Sequence, residues 1–133
     1  MRSGLLGFVA LPLFLFAGNA LAACGGSLVL NASAAVTDKT FCVPKAGGGF
    51  EYQEEFVGGG ALWDYKLGSD SSDPRTQMGT WSASTTDGTV TFNYGTGGIH
   101  TFTLYQTSTG YCLQGTGGDF KGTLKNNTNV GCP

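Results

Sequence analysis

The chain has 133 residues, nine acidic and seven basic, for a net charge of −2 with only 12% of residues charged. So sparse and slightly acidic a surface excludes the basic face that nucleic-acid binders need and the polybasic patch that docks proteins on anionic lipid. Twenty-three glycines alongside 12% aromatic residues exclude disorder and fit short strands joined by tight turns.

In chain order, the first element is an export leader. One positive charge at Arg2 precedes an apolar run from Leu5 to Ala17, Gly18-Asn19 breaks it, and Ala20-Leu21-Ala22 offers a small-x-small cleavage pattern. That order marks a secretory signal peptide over residues 1–22, and the run is shorter than the roughly 20 residues a membrane span requires. Cleavage after Ala22 releases a periplasmic or secreted chain, residues 23–133, of a size that suits one domain. Leu21-Ala22-Ala23-Cys24 also resembles a lipobox, and in that alternative Cys24 is lipidated and the protein is membrane-anchored. Cysteine parity favours the soluble form, because Cys24, Cys42, Cys112 and Cys132 make two pairs only if Cys24 stays free to pair.

Ser27 to Val36 is read as a short helix. Beyond it, β-like runs at 39–44, 50–57, 61–67, 78–84, 89–94, 99–106, 111–115 and 119–125 alternate with Gly-rich breaks. Period-2 patterning puts Val90, Phe92 and Tyr94 on one face, and Phe120 and Leu124 inward with Lys121 and Lys125 outward. One dry and one wet face is the antiparallel signature, and no connection is long enough for a crossover helix. Asp87-Gly88 is read as a type I′ hairpin turn, and residues 68–77 as a long loop. The expected fold is therefore all-β: an antiparallel meander of about eight strands forming a small closed or partly open barrel, with a short N-terminal helix. Cys24–Cys42 and Cys112–Cys132 are the preferred disulfides, because each closes a short local segment.

The residues that could carry function are few. Glu54 falls on the apolar face of Phe50, Tyr52 and Phe56, where a carboxylate must be paired, raised in pKa or at a pocket mouth. Asp64, on a neighbouring run, either joins Glu54 as an acid–base pair or pairs with Lys66 in solvent. His100, the one histidine, shares a face with Phe102 and Leu104 at the start of its strand and is assigned a structural or rim role. Trp63, Tyr65, Trp81 and Tyr94 belong to an aromatic set that either fills the core or lines a cavity for a small apolar or sugar ligand. Cysteine spacing and the Asp70/Asp73 spacing match no zinc, redox or calcium pattern, so no metal or cofactor is expected.

Two resemblances are present. Ala61-Leu62-Trp63-Asp64-Tyr65-Lys66, Gly79-Thr80-Trp81-Ser82 and Val90-Thr91-Phe92-Asn93-Tyr94-Gly95 together resemble an uncharacterised family of small exported proteobacterial proteins, which implies export but no activity. Gly79-Thr80-Trp81 also resembles the Gly-x-Trp of lipocalin-like barrels, where it opens the first strand, whereas here it falls on about the fourth; this implies a ligand-carrying barrel. The expected function is a non-enzymatic envelope or secreted module that binds a small ligand or an envelope protein. The alternatives are an inhibitor of a secreted hydrolase presenting loop 68–77, and a small hydrolase using Glu54 and Asp64.

Overall fold

The computed structural model describes residues 24–64, 75–129 and 131–132. The leader, Tyr65, Lys66 and residues 68–74 of the long loop lie outside the described residues.

Among the described residues, nine strands form one antiparallel sheet. They are β1 (Ser27–Leu28), β2 (Lys39–Pro44), β3 (Phe50–Val57), β4 (Ala61–Asp64), β5 (Thr76–Ala83), β6 (Thr89–Asn93), β7 (Ile99–Thr107), β8 (Gly110–Gly115) and β9 (Gly118–Asn126). From β2 to β9 each strand pairs with the next, and β2 pairs with β9 from Lys39↔Asn126 to Cys42↔Thr123, closing an eight-stranded up-and-down barrel. Closure removes the unpaired edges that make open sheets prone to aggregate. The alternation read from the sequence sets the inner face: Phe41, Phe56, Leu62, Val90, Leu104 and Leu113 are buried, each contributing roughly 1.5–3 kcal/mol through burial.

The N-terminal segment departs from the expected helix over 27–36. Ser27 and Leu28 instead extend the sheet, pairing with Gln106 and Tyr105 of β7. The β6–β7 pairing ends at Thr89↔Thr103, which leaves that stretch of β7 free to take another strand. Gly26 permits the approach, since a Cβ there would lie 2.2 Å from the Gln106 carbonyl oxygen. Only Ala32–Val36 is helical (α1): Asn31 caps it by accepting from the Ala34 N–H at 3.0 Å, and Ala32 and Val36, one turn apart, plug one end of the barrel.

Three further expectations change. The disulfides are Cys24–Cys112 and Cys42–Cys132, not the local pairs. Cys42 and Cys112 alternate with inward-facing Phe41, Val43 and Leu113, so they point outward, and they tie Cys132 and Cys24 to the barrel wall. The turn at Asp87-Gly88 is not type I′, which needs positive φ at both residues. Only Gly88 has it (φ 79°), and the loop is wider, with Ser84 Oγ accepting from the N–H groups of Thr86 and Asp87. Finally, the register of β2 and β3 shifts between Val43 and Pro44. Such a bulge flips the chain beyond it, and Phe50 lines an outer groove with Cys42 and Pro44 rather than sharing the inner face of Tyr52, Glu54 and Phe56.

Candidate functional site

The barrel has a filled end and an open end. At the filled end Ala32 and Val36 of α1 join the buried cluster of Phe56 and Leu62, against which Trp81 packs. Rings then stack upward through the interior: Trp81–Phe56 at 5.4 Å, Phe56–Phe92 at 5.5 Å, Phe92–Phe102 at 5.3 Å and Phe102–Phe120 at 5.8 Å between centroids. Each such pair contributes about 0.5–1.5 kcal/mol beyond its buried area. The column thins toward the other end, where the β2–β3, β6–β7 and β8–β9 turns meet. There it leaves a cavity of about 540 Å³, within the range of small-molecule sites.

Aromatic and aliphatic side chains make most of the cavity wall: Tyr52, Phe92, Tyr94, Phe102, Leu113 and Phe120. Glu54 is the carboxylate in it. Its position follows from register, since Glu54 lies opposite Phe41 on β2 and opposite Asp64 on β4. Only 9% of Glu54 is exposed; Oε1 accepts from the Tyr94 hydroxyl at 3.2 Å, while Oε2 is buried and without a hydrogen-bond partner. Burial, reinforced by the nearby Asp64 charge and only partly offset by the Tyr94 hydrogen bond, pushes Glu54 up to about 8. Burial and the neighbouring Glu54 likewise push Tyr94 upward. At neutral pH Glu54 is thus mainly a carboxylic acid and Tyr94 a neutral phenol. His100 stands exposed on the rim, its Nε2 3.2 Å from the Gly97 carbonyl oxygen and its ring 5.7 Å from that of Tyr94.

Among the residues singled out from the sequence, Glu54, Tyr94 and His100 therefore come together at the cavity. Trp81 does not line it: it sits lower in the barrel, its indole Nε1 donating to the Val57 carbonyl at 2.9 Å. Trp63 is on the outer face, with the Arg75 guanidinium 4.1 Å from its ring centroid. Tyr65 lies outside the described residues. Asp64 lies directly across from Glu54 on β4, and Lys66, its other expected partner, lies outside the described residues. Tyr52, Phe102 and Phe120 were not singled out as site residues, although alternation already aligned Tyr52 with Glu54 and turned Phe120 inward.

The outer face of β2 and β3 is not wet, contrary to the simple alternation. Thr40, Cys42, Gln53 and Glu55 are all buried there, because the chain after β9 folds back over them. Thr40 donates to the Asn127 carbonyl at 2.9 Å, Gln53 accepts from the Cys132 N–H at 2.6 Å, and Glu55 accepts from the Asn129 N–H at 2.5 Å. Arg75 completes the set with a 2.6 Å ion pair to Glu55. This is a structural latch on the side of the wall opposite the cavity.

Among the described residues, no three His, Cys, Asp or Glu side chains cluster as a metal site, and no helix is long and apolar enough to cross a membrane. The fold and cavity define a class of small disulfide-pinned up-and-down barrels with one open, aromatic-walled mouth. No protein-family model matches the chain, and neither a curated protein nor a solved structure is significantly similar to it.

Proposed function

We propose that this is an exported, non-enzymatic binding module that holds a small, largely apolar ligand in the mouth of its barrel. The observation that carries the reading is the cavity of about 540 Å³, walled by aromatic rings and holding one buried polar group, Glu54 Oε2, with nothing to bond. Apolar concavity with few, fixed polar groups is the composition of small-ligand sites, and an unmet buried oxygen costs about 1–3 kcal/mol that a ligand can restore. The Gly-x-Trp resemblance points the same way.

Two disulfides suit an oxidising, extracytoplasmic environment. Cys24 supports a released rather than a lipid-anchored form, because its sulfur is bonded to Cys112 and one sulfur cannot carry both that bond and a thioether to lipid. Mass spectrometry of the protein recovered from the envelope and medium tests this: a chain starting at Ala23 with two disulfides and no lipid is expected, and acylated Cys24 overturns it.

Binding itself is tested with Nile red, a neutral apolar dye whose emission rises and shifts to the blue in apolar surroundings. The wild-type protein is expected to bind it saturably. Val43→Trp, which fills the cavity from β2, and Thr116→Trp, at the β8–β9 turn, are each expected to weaken binding at least tenfold, while Trp63→Ala on the outer wall leaves it unchanged. No binding by wild type, or equal binding by both filling variants, overturns the reading.

A second reading follows from the direct register of Glu54 with Asp64. One protonated and one ionised carboxyl is an acid–base arrangement, as in glycoside hydrolysis. Release of chromophore from nitrophenyl glycosides by wild type, lost in Asp64→Asn, would favour this reading over carriage. The inhibitor reading rested on loop 68–77, of which residues 68–74 lie outside the described residues.

A further inference from the structure

Accepting that the barrel mouth is a binding site, we infer that its ligand is an organic cation, an amine with an apolar body whose ammonium group sits at Glu54 Oε2 and whose apolar part lies among the rings. Three observations converge on this. The buried polar atom waiting for a partner in the cavity is a carboxyl oxygen, on a side chain that is only 9% exposed. A second carboxylate, Asp64, lies directly across from it on the next strand. Around them stand the rings of Tyr52, Phe92, Tyr94, Phe102 and Phe120, whose negative faces attract a cation once it is desolvated.

The titratable neighbours support a cation. Asp64 on β4 lies across from Glu54, Tyr94 just after β6 donates to it, and His100 on β7 and Tyr52 on its own strand line the same cavity, to which β2, β8 and β9 present Phe41, Leu113 and Phe120. No lysine or arginine is among the described lining residues. An anionic ligand would therefore bring its charge against the Glu54 carboxyl, with the Asp64 carboxyl on the next strand behind it. A neutral ligand would leave Glu54 held in its protonated form by burial and the Asp64 charge. An ammonium group supplies the counter-charge that burial withholds from Glu54, so ligand binding and Glu54 ionisation favour one another. The unpartnered oxygen is buried and belongs to the wall of an apolar cavity.

The test uses one carbon skeleton in three charge states: 4-phenylbutylamine, 4-phenylbutanol and 4-phenylbutyrate, titrated into the mature disulfide-bonded protein at pH 7.5 and followed by calorimetry. The amine is expected to bind at least tenfold more tightly than the alcohol, and the carboxylate at least tenfold more weakly than the alcohol. Glu54→Gln, which retains the shape of the neutral acid, is expected to bring amine and alcohol within about threefold of each other while alcohol affinity holds. Asp64→Asn provides a second variant and should reduce the same preference. Alcohol or carboxylate binding as tightly as the amine overturns the inference, as does a preference that survives both substitutions. Failure of all three compounds where Nile red binds overturns the cation assignment alone; failure of Nile red as well overturns the binding reading beneath it.

Discussion

The Tyr94 hydroxyl donates to Glu54 Oε1 across the barrel interior at 3.2 Å, joining the end of β6 to β3 between residues forty positions apart. It satisfies one carboxyl oxygen and leaves the other facing an apolar space. Stability, pH response and binding all meet at this contact.

The first prediction concerns pH. Glu54 is raised from an ordinary 4.5 to about 8 in the folded chain. A raised folded value means the folded state holds a proton that the unfolded state has lost between those limits, so the contribution of Glu54 to stability is fully present below pH 4.5 and declines as pH rises to about 8. At about 1.4 kcal/mol per pH unit the decline is at most on the order of 4–5 kcal/mol. Urea unfolding of the oxidised protein from pH 5 to 9 should show it. Glu54→Gln should flatten the profile and be more stable than wild type at pH 9; a parallel decline in the variant would show that another group is responsible.

The outer latch gives the second. Arg75 meets Glu55, which is fully buried. Removing one member of a buried pair strands the other, at a cost of about 3–5 kcal/mol. Arg75→Ala should therefore lower the midpoint of thermal unfolding strongly. Glu55→Gln should cost less, since its amide oxygen still accepts from the Asn129 N–H.

A third prediction follows from the disulfides, whose sequence separations are 88 and 90 residues. In the chain-entropy picture each closes so long a loop that its loss costs roughly 4–5 kcal/mol. The two double replacements, Cys24→Ser with Cys112→Ser and Cys42→Ser with Cys132→Ser, should be similarly destabilised. They should differ in hydrogen exchange: only the second should release protection of the backbone N–H groups at positions 129 and 132, which Glu55 and Gln53 hold in the wild type.

Gly79 supplies the fourth. It lies in β5 where the β4–β5 register slips, Leu62 facing Gly79 but Trp63 facing Gln77, and a Cβ there would come within 1.9 Å of the Asn93 carbonyl oxygen. The need for glycine in Gly79-Thr80-Trp81 is thus one of close approach between strands rather than of unusual dihedral angles. Gly79→Ala should destabilise by about 1–3 kcal/mol, as overpacking does, while Gly117→Ala, with open space around its site, should be near neutral.

Local chemistry alone determined most of the wall of this barrel. The runs at 39–44 and 50–57 became β2 and β3 with those boundaries, because period-2 alternation between glycine turns leaves a short chain one way to bury Phe41 and Phe56. The inward faces of Val90, Phe92, Tyr94, Phe120 and Leu124 were equally legible. Glu54 stood out because a carboxylate in an apolar row violates the pattern that surrounds it.

Only tertiary structure decided what lies beyond one strand's reach. Pairing Glu54 with Tyr94, Cys42 with Cys132 and Cys24 with Cys112 depends on how the barrel closes. Closure brings β2 against β9, and the disulfides carry Cys24 and Cys132 to the outer wall, contacts 80 or more positions apart that no local pattern encodes. The same is true of Gln53 and Glu55, which their alternation marks as wet and the returning C-terminal segment makes dry. The single-residue slip at Val43/Pro44 that turned Phe50 outward came from the fit between neighbouring strands, a matter of three-dimensional packing rather than of residue type.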